Sequence, residues 1–231
     1  MNTARFARMR IGTKVAIAML LAVGTLFSGF LIVTNNANRQ QAENDAVAGV
    51  TEKSQLLKST VEVLDRSLRS QVSTYMKVLQ ETLPGQFALD RENKVSVGDK
   101  AVSSLMLDGK LMNMNFDIPD HFTAQTGAYA TIFAREGSNF VRVTTSHKKE
   151  DGKRAIGTSL DLSHPAYQRL LNGQVYAGSA SLFGGQYMTL YSPIFDANKQ
   201  VIGALYVGIN FTESVRLLGE GIKSLKLGQE G

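Results

Sequence analysis

The 231-residue chain has no cysteine and no tryptophan, only four prolines and only three histidines. Without cysteine there is no disulfide framework, no thiol nucleophile and no thiolate metal site, and either redox compartment is compatible with the sequence. His121, His147 and His164 show no H-x-x-x-H or H-E-x-x-H spacing, so no two imidazoles are neighbours on a helix and no metal is expected. His147, beside Lys148 and Lys149, reads as solvated, and His164 before Pro165 reads as a helix cap. No G-x-x-x-x-G-K-[ST] loop or G-x-S-x-G elbow occurs, and Gly184-Gly185 lies between strands with no helix after it to hold phosphate. No catalytic residue and no cofactor is therefore assigned, and an exported hydrolase is the weakest reading. With 43% hydrophobic and 19% charged residues, the chain is neither disordered nor collagenous.

Acidic residues are also missing from the first 42 positions. The net charge of +5 would suit nucleic acid if it were spread out, but Arg5, Arg8, Arg10 and Lys14 supply four of those charges before Glu43 appears. The remainder carries 21 basic against 20 acidic groups and is nearly neutral, so no nucleic-acid partner is expected. From Val15 to Thr34 there are 20 residues without a charge. At about 1.5 Å per residue such a helix spans a hydrocarbon core of roughly 30 Å, whereas the apolar part of a signal peptide runs to about 7–15 residues. The basic flank then places 1–14 in the cytoplasm, 15–34 in a single-pass transmembrane helix and the body outside.

Residues 36 to 82 contain no proline and one glycine, with apolar residues at Val47, Val50, Leu57, Val61, Leu64, Leu68, Val72, Tyr75 and Leu79. The three- and four-residue spacing predicts a long helix over 35–82, closed by Pro84-Gly85, part of it a stalk able to pair with a second copy. Strands are expected at 86–90, 94–98 and in SLMLDGKLMN, where Asp108-Gly109 suits a tight turn, and a helix at 118–126. Further strands are 128–134, 139–146, VYAGSASLF, QYMTLYSPIF and QVIGALYVGIN, with a short helix in HPAYQRLLNG and an exit helix over 212–226. This order predicts an α+β fold around one central antiparallel sheet over 83–211.

Strict alternation along 139–146 puts Val141, Val143 and Thr145 on a core face and Phe140, Arg142, Thr144 and Ser146 on the other. A guanidinium flanked by hydroxyls at two-residue spacing suits a carboxylate ligand, the alternative being that Arg142 pairs with a surface acid. Alternation likewise separates Tyr187, Thr189 and Tyr191 from Met188 and Leu190. Six of the seven tyrosines fall between Tyr129 and the end, as walls of a polar-ligand pocket or as half-buried packing. Among Lys148, Lys149, Lys153 and Arg154, a lysine closing over an anion is the sharper alternative to a solvated loop.

The combination F-V-R-V-T-T-S, A-I-G-T, H-P-A-Y, Q-Y-M-T and V-I-G-A-L-Y-V-G resembles the extracytoplasmic Cache sensor domains of bacterial chemoreceptors, most nearly the single-Cache type of methyl-accepting chemotaxis proteins. The resemblance covers about residues 40 to 215. It implies a PAS-like antiparallel sheet, a long N-terminal helix across one face, a ligand pocket on the other and a homodimer in the bacterial inner (cell) membrane with the sensor facing the periplasm or exterior. The ligand implied is a small carboxylate or amino acid. By the same resemblance Arg142, Thr144 and Ser146 line the pocket, Tyr187, Thr189 and Tyr191 stand on its neighbouring strand, and Phe133, Arg135 and Tyr167 lie near the rim. Family receptors continue through a second membrane helix to a signalling region, and IKSLKLGQEG at 222–231 resembles the helix that introduces a second Cache unit. The chain is therefore expected to be the front portion of a longer receptor or a truncated product. A membrane-tethered dimerising protein without ligand binding is the alternative function.

Overall fold

The computed structural model describes residues 11–227, without the side chains of 11–18 and a few other helix positions. The basic flank up to Arg10 and the last four residues lie outside the described residues. Helix α1 runs Ile11–Glu81, so the helical periodicity read from position 36 extends upstream without a break. The chain divides into two compact units at Glu62/Val63. In the first, large apolar side chains such as Met19, Leu26, Phe27, Phe30, Val47 and Val50 are exposed. Among the described residues no helix is long and apolar enough to cross a membrane; the span expected at 15–34 includes positions whose side chains lie outside the described set.

The second unit is α+β. After α1 come β1 (Phe87–Val97), β2 (Lys100–Leu107), β3 (Lys110–Leu111), α2 (Asp117–Thr126), β4 (Tyr129–Glu136) and β5 (Asn139–Thr145). Then follow α3 (Pro165–Leu171), β6 (Tyr176–Leu182), β7 (Gly185–Phe195), β8 (Val201–Asn210) and α4 (Thr212–Leu227). The two strands expected at 86–90 and 94–98 form one strand, β1, with its register shifted between Asp90 and Lys94. Asp108 and Gly109 both take positive φ and close the β2–β3 turn as expected.

Instead of one central sheet there are two, a three-stranded β1-β2-β3 and a five-stranded β5-β4-β8-β7-β6, all pairs antiparallel. The separation follows from β3, only two residues long before the chain leaves for α2. A polar clasp joins the sheets: Glu136 on β4 accepts from the Ser103 backbone N–H (2.8 Å), the Ser103 hydroxyl (2.7 Å) and the Lys94 ammonium (2.6 Å). Burial acts to raise the Glu136 pKa, but these bonds outweigh it and hold the carboxyl at about 2.

The five-stranded sheet is buried on both faces. One face carries Ala130, Ile132, Ala134, Met188, Leu190, Leu205 and Val207 against Leu68, Val72, Met76 and Leu79 of α1. The apolar stripe of the long helix thus has a covered stretch, from Leu68 onward. The other face carries Phe133, Phe140, Tyr191, Ala204 and Tyr206 beneath Ala166, Tyr167 and Leu170 of α3. Leu79 is fully buried and Val63 is 67% exposed. Leu79→Ala is expected to cost about 2–5 kcal/mol in urea unfolding of the full chain, and Val63→Ala no more than about 0.5 kcal/mol.

Candidate functional site

The site is built on β5, and a bulge decides which side chains reach it. Phe133 of β4 pairs with Arg142, but Ile132 pairs with Thr144, leaving Val143 as an extra residue on β5. An inserted residue reverses the alternation beyond it. Phe140 and Arg142 share the aromatic face with Phe133, as expected, but Thr144 and Ser146 leave it. The Thr144 hydroxyl donates to the Asn115 carbonyl (2.7 Å), and the Ser146 hydroxyl accepts from Thr123 of α2 (2.7 Å) and from the Ala130 N–H (3.0 Å). Their places beside Arg142 go to Thr145, whose hydroxyl bonds that of Thr131 (2.6 Å), and to His147. Thr144 is therefore bonded away from Arg142, while Ser146, bonded to α2, lines a surface groove together with His147 and Tyr187.

Arg142 is 5% exposed and, among the described residues, has no carboxylate partner. Its Nη1 donates to the Thr158 hydroxyl (2.8 Å), and its Nε is buried with no partner at all. Thr158 is held there because the segment after the β5 loop returns along the strand: the Arg142 N–H donates to the Thr158 carbonyl (2.9 Å) and the Gly157 N–H to the Arg142 carbonyl (3.0 Å). The guanidinium carbon lies over the Phe133 ring, 4.9 Å from its centre, and over that of Phe183, at 5.3 Å, within cation–π reach of both. Phe183 and Gly184 form the two-residue β6–β7 turn with φ of 48° and 79°. Such a turn ordinarily takes Asn or Gly first, and a Phe in that conformation is strained. Burial pulls the Arg142 pKa below its ordinary value, opposed by Tyr191 and Tyr206.

Tyr191 is fully buried, with its hydroxyl unpartnered; burial pushes its pKa up to about 12, against the opposing pull of Arg142. Tyr206 beside it, 5.0 Å between ring centres, exchanges a hydrogen bond with His147 Nε2 (2.9 Å). Its ring reaches over Gly208, where any Cβ would overlap the Tyr206 hydroxyl. His147, expected in solvent, is 1% exposed, stacked on Tyr129 at 4.4 Å and edge-on to Tyr187 at 5.0 Å, with Nδ1 unpartnered. Burial first, and the Arg142 charge second, hold its pKa down to about 3. The local charge run concealed it: the bulge that rotates Ser146 outward rotates His147 inward.

The remaining candidates divide. Tyr187 and Tyr191 reach the aromatic face, and Thr189 stands there with its hydroxyl donated to the Gly178 carbonyl (2.7 Å). Phe133 lies beneath Arg142 itself, while Tyr167 packs on Phe140 and donates to the Ser138 carbonyl (2.8 Å). Arg135 is spent elsewhere, on the carbonyls of Gly137 and Val201 (3.1 Å each). His164 caps α3 as expected, its Nδ1 accepting from the Ala166 N–H (3.1 Å). Of the basic run, Arg154 is paired with Asp120 (2.7 and 2.6 Å) and Lys149 with Asp151 (3.8 Å). Phe183, Tyr206 and Thr158 went unsingled in the sequence; the strand pattern around Tyr206 was available, but only folding brings Thr158 and Phe183 to Arg142.

The cluster of rings around Arg142, its chamber, shares His147 and Tyr187 with a surface groove of about 510 Å³ that is lined also by Tyr129, Ser146, Lys148 and Arg154. A larger one, about 700 Å³, lies along α2 by Asp117, Asp120 and His121, away from Arg142. Residues 35–231 match the family model described as the Cache 3/Cache 2 fusion domain. The chain belongs to this family. Cache domains are sensory domains that bind small molecules and are typically non-catalytic. No curated protein matches the chain. Among solved structures it is similar to the Escherichia coli DcuS sensor domain, at 17% identity over 44% of this chain and 70% of that one, TM-score 0.32. It is also similar to the sensory domains of the Campylobacter jejuni chemoreceptors Tlp3, at 16% identity and TM-score 0.37, and Tlp1, at 14% and 0.34. These matches take in 71% and 69% of this chain and 60% and 58% of theirs, so the chain spans about three fifths of the two chemoreceptor domains.

The buried histidine makes this Cache domain acid-sensitive. Unfolded, His147 takes up a proton near pH 6.5; folded, it resists protonation to about pH 3. The unfolded state holds the extra proton in between, so stability is full above pH 6.5 and falls as the pH drops. The slope approaches about 1.4 kcal/mol per pH unit for one histidine. His164, lowered first by burial, acts in the same direction, while Glu136 adds only below pH 4.5. Urea midpoints of the full chain should decline from pH 6.5 to 5, and His147→Gln should flatten that decline.

Proposed function

We propose that this chain is the membrane-anchored, extracytoplasmic ligand-sensing portion of a chemoreceptor-type protein, binding a small organic anion at Arg142. The observation that carries the reading is the guanidinium itself: buried, facing no carboxylate, with Nε unpartnered beside a Tyr191 hydroxyl that is also unpartnered. A buried charge costs several kcal/mol of desolvation unless a counter-charge meets it. A ligand carboxylate would supply one and take both free donors. The anchor is supported by the uncharged run at 15–34 behind four basic residues and by the exposed apolar side chains from Met19 to Val33. That arrangement puts the sensor on the periplasmic side. The exposed stripe of Val47, Val50 and Val61 supports pairing with a second copy, which is also the surface that a dimerising protein without a ligand would use.

Output runs through β7 and β8 to α4. Tyr187, edge-on to His147, accepts from Asn210 Nδ2 (3.4 Å); Asn210 Oδ1 accepts from the Thr212 N–H (2.9 Å), and the Thr212 hydroxyl accepts from the Gln186 N–H (2.8 Å). Thr212 is the first residue of α4, so a change at the chamber wall reaches the exit helix within four side chains. A ligand favouring one arrangement by about 1.4 kcal/mol shifts their ratio tenfold.

Thermal-shift screening of the full chain in mild detergent against small carboxylates and sulfonates should yield at least one stabilising anion, and Arg142→Ala should abolish its effect. Arg142→Met, which fills the space without a charge, should raise the midpoint of the ligand-free protein. Unchanged binding in Arg142→Ala, or no binder across the panel, would overturn the anion site.

A further inference from the structure

Charge bookkeeping within the chamber narrows the class of anion. We infer that it accepts a monocarboxylate with an uncharged body and discriminates against dicarboxylates and α-amino acids; this rests on the anion reading above. Among the described residues it holds one permanent cation, Arg142. The other basic groups nearby are engaged or outside: Arg154 is bound to Asp120 through both terminal nitrogens, Lys149 pairs with Asp151, and Lys148 and Lys153 are exposed. His147 is buried beside the guanidinium, and burial first and that charge second oppose its protonation; His164 is lowered first by burial, with Asp161 pulling the other way and Arg142 adding to the lowering. A second carboxylate brought inside would find no cation to meet it and would bear the desolvation cost alone.

Among the described residues no acid stands in the chamber either. Around it, Asp161 accepts from the Ser163 N–H and hydroxyl (2.8 Å each), Asp120 is held by Arg154, and Glu150 is exposed beside the Phe183-Gly184 turn. An α-ammonium would therefore enter beside a guanidinium with no carboxylate to receive it. Ring faces can attract a cation, but the two nearest Arg142, Phe133 and Phe183, are already turned to it.

The bonding of the guanidinium fixes the direction of approach. With Nη1 bonded to Thr158, the buried donor left without a partner is Nε, at the edge. A carboxylate meets that edge in plane, through Nε and the adjacent Nη2, with Tyr191 as a third donor. Around Tyr191 the rings of Tyr176, Tyr206 and His164 pack in mutual contact at 5.0 to 6.3 Å, so a ligand's body enters only by parting apolar ring surfaces. Those walls reward an uncharged aliphatic or aromatic body.

The test is titration calorimetry of the full chain in mild detergent with four probes: propionate, benzoate, succinate and alanine. Propionate or benzoate should bind at least tenfold more tightly than succinate and alanine. Arg142→Gln should weaken the bound monocarboxylate at least tenfold, and Tyr191→Phe, which keeps the ring, about threefold to tenfold. The selectivity is read on the unaltered protein, so it does not depend on whether a variant folds. Succinate or alanine binding as tightly as the monocarboxylates, with Arg142 still required, overturns this inference and leaves the anion site standing. No heat from any of the four, or binding indifferent to Arg142→Gln, overturns both.

Discussion

The guanidinium of Arg142 is held out of water with no carboxylate opposite it, and the whole aromatic side of the five-stranded sheet is arranged around that condition. Phe133 supplies one ring from the strand beneath, and a strained turn supplies the other through Phe183. The segment returning along β5 contributes a single hydroxyl, from Thr158. A core selected for stability alone would place a methionine or leucine there, because replacing a buried charge by apolar volume is commonly neutral or favourable. Keeping the charge, and leaving its Nε and the Tyr191 hydroxyl unpartnered, costs stability that a bound anion would restore.

The sheet can carry that cost because its two faces are filled differently. On the α1 side the interior is aliphatic, with Leu68, Val72, Met76 and Leu79 meeting Ile132, Met188, Leu190 and Val207. This side provides most of the burial that drives folding. On the other side, tyrosines and a neutral histidine allow polar atoms to be buried as a network, from Tyr206 to His147 and on to Tyr187. The hydrogen bonds of Tyr187, Asn210 and Thr212 then tie this aromatic face to the start of α4.

Much of this was legible in the residues and some was not, for identifiable reasons. The long helix and its cap, the Asp108-Gly109 turn and the split of Tyr187, Thr189 and Tyr191 from Met188 and Leu190 follow from local period and turn chemistry, which act over a few residues. Arg142 was found by alternation because the strand is regular up to that point. Thr144 and Ser146 were misplaced by the same rule, since nothing in F-V-R-V-T-T-S marks Val143 as the inserted residue; the bulge is set by pairing with β4, far along the chain. His147 was hidden for the same reason, its lysine neighbours suggesting a solvated loop. The division into two sheets depended on how soon β3 ends, which no strand propensity specifies. Family resemblance pointed to the strand that carries Arg142, but it could not say which hydroxyls the bulge would turn away.

The most direct measurement is a high-resolution crystal structure of the unaltered protein soaked in propionate. The expected result is a carboxylate within about 3 Å of both Arg142 Nε and the Tyr191 hydroxyl, in the plane of the guanidinium. A protein carboxylate turned inward to pair with Arg142, or the anion bound elsewhere with Nε still unpartnered, would contradict it.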